Sequence, residues 1–128
     1  MTRREEPEID RAAVADAISD QISAIHTESY GTPVKQATTY VHEDLVVSLL
    51  DIELSPIERR MIEFGRGTLV HELRHAVQEA EAASFQAVVE RETGRRVVGF
   101  ASHTHLEPPF VAELFRLGPS TAHPAEPA

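Results

Sequence analysis

The run from Leu54 to Gly94 limits the possible folds more than any other stretch of the chain. Ser55 is a strong N-cap residue, Pro56 occupies the first helical position where its missing N–H costs nothing, and Glu58 falls at N3, so a helix with a capping box starts here. Gly65 and Gly67 soon interrupt it, and a second, long helix runs from Thr68 to a stop at Thr93-Gly94. On that helix Leu69, Val70, Leu73, Ala76, Val77, Ala80, Ser84 and Val88 recur at about 100° per residue and mark the expected core face. Phe85 and Val89 lie well away from this stripe, so they are expected either to be covered by another element or to form an interface.

Such a helix needs a surface to lie on, and the rest of the chain supplies a sheet. Asp10 can cap a first helix reaching Tyr30, with Val14, Ala17, Ile18, Gln21, Ile22 and Ile25 as one stripe. Gly31 and Pro33 end it. Two strands follow, Val34 to Tyr40 and Leu45 to Ile52, joined by a turn at His42-Glu43-Asp44. The first is polar enough for a sheet edge, whereas the second is apolar enough to be internal. Beyond Gly94, Arg95 to Ser102 reads as a strand, residues 104–109 as a connection and Phe110 to Leu117 as a last strand. The expected fold is α+β: a two-layer sandwich with a mainly antiparallel four-stranded sheet, helices packed on one side, and the order α-β-β-α-α-β-β. Covering the other side of the sheet calls for a homodimer. Residues 1–9 read as a flexible leader, 10–117 as a single domain, and 118–128 as a disordered Pro- and Ala-rich tail.

Composition narrows the function classes. With no cysteine there is no disulfide, thiolate nucleophile or cysteine-ligated metal. No apolar run approaches the roughly 20 residues of a membrane-spanning helix, and the charged first residues lack the apolar core of a secretory signal, so the expected location is the cytoplasm without direct membrane insertion. A formal charge of -9, from 21 acidic against 12 basic side chains, repels a phosphate backbone, so nucleic acid is not an expected partner.

His71-Glu72-Leu73-Arg74-His75 matches the His-Glu-x-x-His pattern of zinc proteases, in which two imidazoles one helical turn apart hold zinc and the glutamate serves as general base. His103, His105 or Glu79 could offer a third ligand. With Leu73 at the centre of the core face, however, His71 and His75 project to the opposite side of the helix, where no cleft is expected. The preferred reading is therefore a pair of solvent-facing histidines, with a metal-dependent hydrolase as the alternative. Gly65, Arg66, Gly67 and Thr68 form a helix start that could receive an anion, although the segment lacks the preceding strand and the further glycine of a nucleotide fingerprint. No serine sits in a nucleophile elbow, and no cofactor-binding motif is present.

Several blocks in order carry a family likeness: Tyr30-Gly31, Tyr40 to Val47, Leu54 to Arg59, Gly65-Arg66-Gly67, and Thr93 to Phe100 with Ser102 to His105. Over about Val14 to Leu117 the chain resembles the small bacterial family catalogued as domain of unknown function 2294, described as the C subunit type of a sodium-translocating, membrane-potential-generating system. The resemblance implies a small protein without established catalytic residues, whose relatives are arginine- and leucine-rich where this chain has His71 to His75. It further implies an accessory factor that associates with a membrane complex. The resulting expectation is a non-enzymatic accessory or regulatory protein acting through protein contacts as a homodimer, with Phe85 and Val89 as candidate contact residues.

Overall fold

A computed structural model describes residues 10–120. The expected leader, residues 1–9, and residues 121–128 of the expected tail lie outside the described residues. The elements follow in the order α1 (Arg11–Tyr30), β1 (Val34–His42), β2 (Leu45–Ile52), α2 (Pro56–Glu63), α3 (Gly67–Thr93), β3 (Val97–Leu106) and β4 (Pro109–Leu117). Local chemistry sets the boundaries. Asp10 accepts a hydrogen bond from the Ala13 amide and starts α1, and Ser55 and Glu58 close the capping box on α2. Gly31 and Gly94 end α1 and α3 in the left-handed region, at φ 75° and 72°, where a side chain would be strained.

The four strands form one antiparallel sheet in the order β1-β2-β4-β3, so β2 is internal and β1 an edge. β3 is longer than the sequence suggests. Residues 104–106, expected as connection, continue its pairing with β4, because Thr104 faces the covered side opposite Val111 and Leu106 packs against the core. The helices lie on one side of the sheet, where Val46, Leu50, Ile52, Val111, Phe115 and Leu117 meet Ile18, Ile22, Phe85, Val88 and Val89. Burial therefore alternates strictly along β2 and β4, as expected for a sheet with one covered face. Arg95 fastens the far end: its guanidinium donates to the Glu43 and Gly118 carbonyls and pairs with Asp44 at 2.7 Å, joining the β1–β2 turn to the end of β4.

The buried face of α3 differs from the expected one. Leu73 is 55% exposed, and Leu69, Ala76 and Ala80 are exposed as well. The interior side carries Val70, Arg74, Gln78, Glu81, Phe85, Val88 and Val89. The helix is thus rotated by about 100°, one residue's worth, from the apolar stripe. Two contacts select this register: Phe85 and Val89 fill the core at the C-terminal half, and Arg74 finds a carboxylate partner at the N-terminal half. Leu73→Ser is accordingly expected to change the unfolding free energy by no more than about 0.5 kcal/mol in denaturant titration.

Candidate functional site

The structure brings part of the predicted histidine set together. Between α3 and the β3 edge runs a groove of about 380 Å³ lined by Thr68, His71, Glu72, His75, Gln78 and Ser102 to Thr104. His71 and His75 therefore stand over a groove beside β3, not on the side of α3 opposite the body, because the one-residue rotation carries them toward the sheet. His103 rims the same groove from β3. His105 does not join them: it stacks on Phe110 at 4.8 Å and its Nδ1 lies 2.8 Å from the Pro108 carbonyl. His75 points along the helix to Glu79, 3.3 Å away, with both side chains about 70% exposed. Among the described residues no three His, Asp or Glu side chains are grouped so that they could hold one metal ion, which argues against the hydrolase alternative.

The other predicted positions sit as follows. Gly65, Arg66 and Thr68 are exposed at the joint between α2 and α3, and Arg66 takes the N-cap position of α3 without a side-chain cap bond. Phe85 and Val89 are fully buried in the chain's own core, against α1 and the sheet. They are not a contact surface for another protein. The off-stripe position that suggested an interface reflects the rotated register of α3.

What sequence reasoning missed is a polar interior. Arg74 is completely buried and meets Glu58 in a two-pronged pair, Nε to Oε2 at 2.6 Å and Nη2 to Oε1 at 2.9 Å. The same Glu58 Oε1 accepts from the Ser55 amide, so the capping box of α2 and the ion pair share one carboxylate. The guanidinium also lies 4.0 Å from the centre of the Tyr30 ring, while its Nη1 is 3.4 Å from His26 Nε2. One arginine on α3 thus ties together α1, through His26 and Tyr30, and α2, through Glu58. Burial works to raise the Glu58 pKa, but the bonds from Arg74 and Ser55 outweigh it and hold the carboxyl below its usual range. Burial and the adjacent Arg74 charge push His26 down to about 4, so the imidazole is neutral. Burial also raises the Tyr30 phenol well above its usual value.

A second polar group crosses the sheet at one level. Thr39, Ser48, Glu113 and Ser102 are successive cross-strand neighbours on β1, β2, β4 and β3, all on the covered face. Ser19 of α1 joins them: its hydroxyl is 2.7 Å from that of Thr39, which is 2.8 Å from that of Ser48. Apolar residues flank the belt, with Val41, Val46, Phe115 and Phe100 on one side and Ala37, Leu50 and Val111 on the other. Burial pushes the Glu113 carboxyl up to about 8, helped by the nearby Glu81 carboxyl and opposed by Ser102. Glu81, buried on α3, is raised by burial too. Glu113 Oε1 and Glu81 Oε2 are buried without a hydrogen-bond partner among the described residues.

Fold and site together define a two-layer α+β sandwich protein with an ion-paired interior, one helix-covered sheet face and one open face. A family model described as "Na+-translocating membrane potential-generating system (MpsC)" matches residues 10–118. The chain belongs to that family. No curated protein and no solved structure matches it.

Proposed function

We propose that this protein is a non-catalytic accessory component of a sodium-translocating, membrane-potential-generating system, and that it acts through contact with other proteins. The carrying observation is a pairing of two facts. The family is described as a Na+-translocating membrane potential-generating system, yet among the described residues no helix is long and apolar enough to cross a membrane. An ion path needs polar groups held inside a spanning structure. A chain whose described part is an open four-stranded sheet with helices on one face contributes to such a system by binding the subunits that span. Among the described residues no converging ligand set surrounds His71, Glu72 and His75, which weighs against metal-dependent hydrolysis at that place.

The test is complementation. In a host from which the gene has been deleted, sodium-dependent membrane potential, read with a voltage-sensitive dye, is expected to be restored by the wild-type chain. A triple variant, His71→Ala, Glu72→Gln and His75→Ala, is expected to restore it to the same level within about twofold, since these side chains are exposed and make no core contact. Loss of the potential with a normally folded triple variant would instead revive the hydrolase reading.

A further inference from the structure

The side of the sheet turned away from the helices is apolar at its centre. Tyr40, Leu49 and Leu114 are exposed there, with Val47 and Ala112 half-buried between them. Monomeric proteins rarely leave such a continuous patch in water. We propose that a second copy of this chain covers the face, stacked on it about a two-fold axis that runs across the strands at the level of Ser48 and Glu113.

The charges on the face fit a second copy of the same chain. Although the whole chain carries a formal charge of -9, the central part of this face holds one cation and one anion, at opposite ends. Arg116 stands at one end, beside Leu45 of β2 and Gly99 of β3. Asp51 stands at the other, beside Phe110 of β4. Neither has an ion-pair partner among the described residues. A two-fold axis across the strands reverses the strand direction while keeping β2 over β2 and β4 over β4. It therefore lays Arg116 of each copy over Phe110 and next to Asp51 of the other, forming two equivalent ion pairs. An axis parallel to the strands would do the opposite, gathering both aspartates at one end and both arginines at the other, which is repulsive.

Shape agrees with the same axis. It places Leu114 over Ala112, Tyr40 over Thr38, His103 over Ala101 and His105 over Gly99, so that a large side chain meets a small one at each of these positions. Such alternation lets two sheets pack at the usual spacing of about 10 Å. Four strands about 4.8 Å apart and seven residues long present, in two copies, on the order of 1,000 Å² of flat area before side-chain relief is added, the size at which specific interfaces begin.

Light scattering on the purified chain tests both the occupant and the axis. The wild type is expected to run as a dimer and Leu114→Glu as a folded monomer by circular dichroism. Arg116→Asp alone and Asp51→Arg alone are each expected to weaken the dimer by more than tenfold, and the double variant D51R/R116D to restore it to within a few-fold of wild type. A wild type that stays monomeric, or a dimer indifferent to Leu114→Glu, overturns the proposal. A dimer that the double variant fails to restore overturns the axis. None of these outcomes depends on membrane potential, so they are separable from the complementation result above.

Discussion

Arg74→Ala is expected to cost about 3–5 kcal/mol of folding stability, because it leaves the Glu58 carboxylate buried without its partner. For a domain of this size that corresponds to a fall in melting temperature of roughly 10–20 °C. The cost has several sources in one place. Glu58 loses both guanidinium bonds, the face of the Tyr30 ring loses the cation over it, and His26 loses its hydrogen-bonding neighbour at Nε2. Glu58→Gln alone is expected to be destabilising in the same range, since it leaves the arginine charge buried instead. The double variant Glu58→Gln with Arg74→Met removes both charges together and is expected to recover at least half of the loss, a coupling that chemical denaturation of all four proteins would measure. Additive losses in that cycle would mean that the two side chains contribute separately and that the pair does not hold the three helices as a unit.

Stability is expected to fall by about 2 kcal/mol between pH 6 and pH 8, and Glu113→Gln to remove most of that fall. An unperturbed glutamate loses its proton near 4.5, whereas Glu113 in the fold keeps it up to about 8. Between those values the folded chain holds a proton that the unfolded chain has released, so stability decreases as pH rises, by at most about 1.4 kcal/mol per unit. Glu81, shifted in the same direction, adds to the decline. His26 has the opposite sign. Its folded pKa of about 4 lies below the unfolded 6.5, so the unfolded chain takes up a proton that the fold refuses, and stability is lost as pH falls from 6.5 toward 4. Over about pH 4.5 to 6.5 the two slopes largely cancel, leaving a plateau before the decline on the alkaline side. Urea titrations at half-unit intervals would show this profile, and equal stability of the wild type at pH 6 and pH 8 would mean that Glu113 is ionised in the fold.

Both predictions concern buried charged residues, and the sequence carries a different signal for each. Glu113 shares its parity along β4 with Val111, Phe115 and Leu117, all buried, so strict alternation already pointed it inward. Arg74 offered a fainter signal. It follows Val70 by four residues and precedes Glu81 and Phe85 by seven and eleven, the spacing of one helical face, but the Leu69 to Leu73 pair made a competing stripe one residue away. Only the presence of Glu58, sixteen residues earlier on another helix, makes that position tolerable for an arginine. Gln78 and Thr104, hydrogen-bonded to each other in the interior, repeat the lesson on a smaller scale.

The element order, the caps at Asp10, Ser55, Gly31 and Gly94, the internal place of β2 and the one-sided helix layer follow from the chain itself, because each rests on contacts between residues a few positions apart or on a two-residue alternation. The rotation of α3, the enclosure of Phe85 and Val89, and the pairing of Arg74 with Glu58 were decided by tertiary structure. In each of these an amphipathic pattern left two faces of similar apolarity, and the choice went to the face that gave a buried charge its partner and filled the core above the sheet.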